Sequence, residues 1–61
     1  MAFNAQEQAL DRAQKMFGKS AYAVEGVDYK KVGFLRNGKH IFSTGDTWEV
    51  AIEELERKAK P

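Results

Sequence analysis

The chain has no cysteine among its 61 residues. That excludes disulfide staples and thiolate metal sites, two common supports of very small domains. It has one histidine, His40, so a closed zinc site would need mostly carboxylates, and no histidine pair or Ser-His-Asp order exists to activate a nucleophile. The single proline is the terminal Pro61, and Lys60-Pro61 reads as a frayed tail. No apolar run approaches the ~20 residues of a membrane span. The N-terminus lacks both the basic region and the apolar stretch of a signal peptide. These absences predict a cytoplasmic protein, with no membrane segment, metal, cofactor or catalytic residue.

The length allows one domain, residues 1–61, near the lower limit for independent folding. A core of this size rarely supplies more than roughly 3–5 kcal/mol unaided, so self-association is one route to further stability. The net charge is only +1, but its distribution is uneven. From Tyr29 to Ser43 the charges are Lys30, Lys31, Arg36 and Lys39, with His40 beside them and no acid. From Asp46 to Glu56 every charged residue is acidic. The molecule should be electrically polarised.

Asn37-Gly38 joins two apolar-basic runs, and this dipeptide favours a two-residue type I′ hairpin because Asn and Gly tolerate positive φ. Helical patterns flank it on both sides. The first begins at Asn4 as N-cap with Glu7 in capping-box position, and continues through Ala9, Leu10, Ala13, Met16 and Phe17 as one stripe. Gly18 then offers an αL C-cap, and Phe3 is placed to fold back on the stripe. Ser20–Glu25 reads as a short strand with Tyr22 and Val24 on one side, and Gly26-Val27-Asp28 as the turn after it. The last helix starts at Gly45-Asp46, with Asp46 as N-cap and Glu49 completing a second capping box. Trp48, Ala51, Ile52, Leu55 and Ala59 share a face. Glu53–Arg57, Glu54–Lys58 and Glu56–Lys60 form acid-to-base pairs at i,i+4. The prediction is an α+β domain of order α-β-β-β-α, a three-stranded antiparallel meander packed by two helices. Its core is Leu10, Ala13, Phe17, Val32, Phe34, Ile41, Trp48, Ile52 and Leu55.

The hairpin turn fixes which side chains point inward. It pairs Arg36 with Lys39, Phe34 with Ile41 and Val32 with Ser43, putting Val32, Phe34 and Ile41 on the helix side. The opposite face carries Tyr29, Lys31, Gly33, Leu35, His40 and Phe42, with Phe42 placed to cover Gly33. A shift of one residue would exchange the faces. Two readings stand for that second face. Cross-strand aromatic pairs and an aromatic over glycine stabilise small sheets; equally, aromatic and aliphatic bulk among bases makes a contact patch.

Catalytic readings find little support. His40 reads as a solvated strand histidine. Helix capping accounts for Asp46 and Glu49, and a turn accounts for Asp28. Gly18-Lys19 and Gly38-Lys39 lack the glycine-rich loop and following helix of a phosphate cradle. Binding is the better class. The leading expectation is a protein partner, or a second copy, on the sheet face, with Tyr29, Lys31, Leu35, Arg36, Lys39, His40 and Phe42 as binding residues. The alternative is a weak nucleic-acid binder using Lys30, Lys31, Arg36 and Lys39, with Tyr29, Phe34 and Phe42 to stack on bases. The element order is also that of double-stranded-RNA-binding domains, whose second helix opens on a basic cluster. Here the helix opens Asp46-Thr47-Trp48-Glu49, and an acid there repels phosphate. A pI near 8.0 also falls below the basic range of dedicated binders.

The runs AQKMFG (Ala13–Gly18), YKKVG (Tyr29–Gly33) and GDTWEVAI (Gly45–Ile52) resemble a group of very short phage and prophage proteins. Those share an alanine-rich first helix ending in aromatic-Gly, a basic-Val-Gly strand and a Gly-x-Ser/Thr-Trp-Glu entry to the last helix. The resemblance implies a phage or prophage setting, in which small proteins without catalytic residues act by binding a macromolecule.

Overall fold

The structure, a computed structural model, describes residues 4–60. Helix α1 (Ala5–Phe17) leads into strands β1 (Tyr22–Glu25), β2 (Lys30–Arg36) and β3 (Lys39–Gly45), and helix α2 (Trp48–Ala59) ends the chain. The strands form an antiparallel sheet in the order β1-β2-β3. Both helices lie on one side of it, α1 over β1 and α2 over β2 and β3. The resulting slab is only 15 Å thick in its shortest dimension.

The hairpin turn sets the register. Asn37 and Gly38 have φ of 53° and 80°, the two positive values a type I′ turn requires. Arg36 then pairs with Lys39, Phe34 with Ile41 and Val32 with Ser43, as the sequence predicts. Val32 and Phe34 are fully buried and Ile41 packs against them. Phe17 of α1 stacks on Phe34 with ring centres 4.7 Å apart. Every residue predicted for the core is buried or packed on the core.

The sequence pattern places Ala9, Ala13 and Ala51 on the inward stripes of the helices but leaves out Ala21 and Ala23. Ala9, Ala13, Ala21, Ala23 and Ala51 make up most of the buried apolar set. Ala9 and Ala13 belong to α1, Ala23 to β1 beneath it, and Ala21 is the residue just before that strand, so small side chains line both sides of the contact. Met16, read as part of the helical stripe, is 42% exposed instead. Phe3 lies outside the described residues.

The ends of the elements follow local chemistry, with four corrections. Asn4 caps α1, accepting from the Glu7 N–H at 2.8 Å while its amide donates to the Glu7 carboxylate at 3.2 Å. At the other end Gly18 has φ 103° and ψ 180°, an extended left-handed conformation rather than αL, and one that essentially only glycine adopts. Strand β1 begins at Tyr22 rather than Ser20 because the Ser20 hydroxyl, not its backbone, bonds to β2. The cap of α2 is Thr47, whose Oγ1 accepts from the Val50 N–H at 3.2 Å. That leaves Asp46 outside the helix and Glu49 one position short of a capping box. Gly45 ends β3, and its missing side chain admits the first turn of α2, since a Cβ there would sit 2.7 Å from Val50 Cγ1.

The predicted pairs along α2 also rearrange. Arg57 bonds Glu54 at i,i+3 rather than Glu53. Lys58 leaves Glu54 and donates to the Phe42 carbonyl at 3.0 Å. In a two-residue hairpin the carbonyls of residues 40, 42 and 44 point away from β2, so Lys58 occupies the outer edge of β3. The outer edge of β1 is met in the same way: Gln6 donates to the Ala23 carbonyl at 3.0 Å and Gln14 to that of Ala21 at 3.5 Å.

Candidate functional site

Period-two alternation and the observed register place Tyr22 and Val24 of β1, Lys31, Gly33 and Leu35 of β2, and His40, Phe42 and Thr44 of β3 on the face away from the helices. This face contains no acid. Leu35 is 57% exposed, and Val24 and Phe42 are nearly half exposed, in a molecule that otherwise buries its large apolar strand residues.

The face is ordered by contacts among its rings. Tyr22, Gly33 and Phe42 form one row across the three strands. The side chain that covers Gly33 is Tyr22, not Phe42 as the sequence reading had it: a Cβ on Gly33 would stand 2.6 Å from the phenol oxygen. Tyr22 Oη and His40 Nε2 are 2.5 Å apart, and the tautomer of the imidazole decides which of them donates. His40 in turn stacks on Phe42 with ring centres 5.2 Å apart. Burial raises the Tyr22 phenol pKa above its ordinary 10.0, because the ionised form would lose solvation beneath its neighbours. Two ammonium groups flank Phe42: Lys31 Nζ lies 4.6 Å and Lys58 Nζ 5.6 Å from the ring centre, within cation–π range.

The residues predicted to bind divide between two sides. Lys31, Leu35, His40 and Phe42 share the open face. Tyr29 lies in the turn before β2, its ring against Gly26, whose N–H donates to the Tyr29 carbonyl at 2.9 Å. Arg36 belongs to the other side, where its guanidinium donates to the Ala59 carbonyl at 2.7 Å and lies 5.1 Å from the Phe34 ring centre. It therefore closes the C-terminal end of α2, where a cation complements the helix dipole. Lys39 is its register partner and lies on that side too.

Lys30 pairs with Glu25 at 3.3 Å and sits near the Trp48 ring. Of the four cations in the nucleic-acid reading, two are thus engaged within the fold, and only Lys31 stands on the open face. Phe34, proposed there for base stacking, is wholly buried. Tyr22 and Lys58 were not predicted for the site. Tyr22 is legible as the partner of Val24, on the side opposite the buried Ala21 and Ala23. Lys58 joins only because α2 overlies the outer strand.

Elsewhere, an open cleft of about 370 Å³ lies between the C-terminal ends of the two helices, lined by Met16, Phe17, Arg36, Glu56, Ala59 and Lys60. Among the described residues no three His, Cys, Asp or Glu side chains gather as a metal site would need. No described helix is long and apolar enough to cross a membrane. No family model matches the chain, and comparisons with curated proteins and with solved structures return no match.

Proposed function

We propose that this is a small non-enzymatic binding protein, acting in the cytoplasm in the phage or prophage setting its motifs resemble, which engages a protein partner through the open sheet face. One observation carries the reading: Leu35, Phe42 and Val24 stand exposed together on a face where solubility alone would favour polar side chains. The rings beneath them are fixed by mutual stacking and by the Tyr22–His40 hydrogen bond. A rigid apolar patch loses little conformational entropy on binding, which favours association. The nucleic-acid reading draws less support, because Lys30 and Arg36 are occupied within the fold.

Affinity capture from bacterial lysate with the wild-type chain and a Leu35→Asp, Phe42→Asp variant tests the reading. Selective loss of a captured protein with the variant is the expected result, and equal recovery by both overturns it. A parallel titration with DNA and RNA at low and high salt reads the other class. Binding that weakens steeply with salt, as counterion release requires, would move the assignment to nucleic acid.

A further inference from the structure

The chemistry around Phe42 narrows the kind of partner. Two ammonium groups bracket its ring, and neither belongs to the ion pairs of the described residues, which are Lys15–Asp11, Lys30–Glu25 and Arg57–Glu54. Among the described residues Lys58 has only the Phe42 carbonyl and ring as neighbours of this kind, and Lys31 only the ring. The open face therefore presents positive charge beside exposed apolar surface, with no acid to offset it. Its size limits the occupant as well. Strands of four, seven and seven residues, at ~3.3 Å per residue and ~4.8 Å apart, cover roughly 300 Å². A stable protein–protein interface takes about 800 Å² from each partner.

A second copy is a poor occupant. Face-to-face docking about a two-fold axis sets the same cations against one another, on too little area. Docking the acidic outer side of α2 on the face of the next molecule makes a head-to-tail contact that need not close.

Resting on the protein-binding reading above, we infer that the open face takes one short acidic segment of a partner protein, with an apolar side chain against Leu35 and Phe42 and carboxylates on Lys31 and Lys58. Such a segment matches the face in area and complements it in charge. Complementary charge also speeds association and selects against basic competitors.

The test uses the intact chain and four fluorescent probes: short peptides alternating Glu with Leu, Ser with Leu and Lys with Leu, and an oligothymidylate. Anisotropy gives affinity, and amide chemical shifts locate the contact. The expected result is binding of the Glu–Leu peptide, with shifts centred on Lys31, Leu35, His40 and Phe42. A Lys31→Glu, Lys58→Glu variant should weaken it by about tenfold or more. Lys31→Gln, at a strand position where the ammonium makes no ion pair, gives a milder readout should the double variant fail to fold by circular dichroism. Equal binding of the Ser–Leu peptide overturns the acidic preference while leaving the protein-binding reading intact. Failure of the Glu–Leu peptide to bind at low salt overturns the inference. Binding of the oligothymidylate alone overturns both.

Discussion

The ring of Tyr22 lies across the backbone of Gly33, its register partner on β2, so closely that a Cβ at residue 33 would stand 2.6 Å from the phenol oxygen and 2.9 Å from the Ile41 carbonyl oxygen. One of these obstacles is a side chain, the other is the backbone of the neighbouring strand. Gly33→Ala should therefore lower stability by about 1–3 kcal/mol, outweighing the roughly 0.4–1 kcal/mol gained by restricting the unfolded chain. Urea unfolding measures the change. Adding Tyr22→Ala should restore only part of it, because the Ile41 carbonyl remains.

Tyr22 also supplies a pH signature. Burial raises its pKa in the folded state above the 10.0 of an exposed phenol. The folded chain then holds this proton more tightly than the unfolded chain does. Its contribution to stability is complete below about pH 10 and is lost as pH rises through the folded-state value. In a Tyr29→Phe background, phenolate absorbance should appear at higher pH in the folded chain than in concentrated urea. Coincident titration curves would contradict the burial of this group.

Ser20 stands in for a residue of β1. Its hydroxyl accepts from the Leu35 N–H at 3.0 Å and donates to the Leu35 carbonyl at 3.1 Å, satisfying both backbone groups where the strand has not yet begun. Ser20→Ala should cost about 1 kcal/mol, limited by the access of water to this exposed site. Hydrogen exchange should accelerate at the Leu35 amide and much less at Phe34, whose backbone faces β3.

The start of α2 separates two neighbouring candidates for its cap. Because Thr47 Oγ1 accepts from the Val50 N–H, Thr47→Ala should destabilise by about 1 kcal/mol, whereas Asp46→Ala should change stability by a few tenths at most. Thermal unfolding of the pair decides between them, and the reverse order would place the cap at Asp46.

Much of this architecture was legible because two local signals agreed with the global pattern. Asn37-Gly38 fixed the turn, the turn fixed the register, and the register put Val32 and Phe34 inside with Leu35 and Phe42 outside. The errors fell where a contact distant in sequence overruled a local preference. Arg36 reads as a hairpin-tip base, yet a helix that begins twelve residues later ends beside it and claims its guanidinium. Lys58 fits an i,i+4 pair with Glu54, but the β3 carbonyl lies within its reach. Ala21 and Ala23 escape the hydrophobic pattern because small side chains weigh little in it, though they set how closely two elements approach. In the candidate site, Leu35, His40, Phe42 and Lys31 followed from alternation alone. Tyr22 and Lys58 required the packing of three elements.

The bonds that Gln6, Gln14 and Lys58 make to the outermost strands carry a cost for partial unfolding. While both helices are docked, their side chains occupy carbonyls that another polypeptide would otherwise recruit. Peeling away α1 or α2 uncovers a β-rim in the same motion that opens the interior. Clumping of this protein should therefore follow the fraying of its helices and not the concentration of intact molecules.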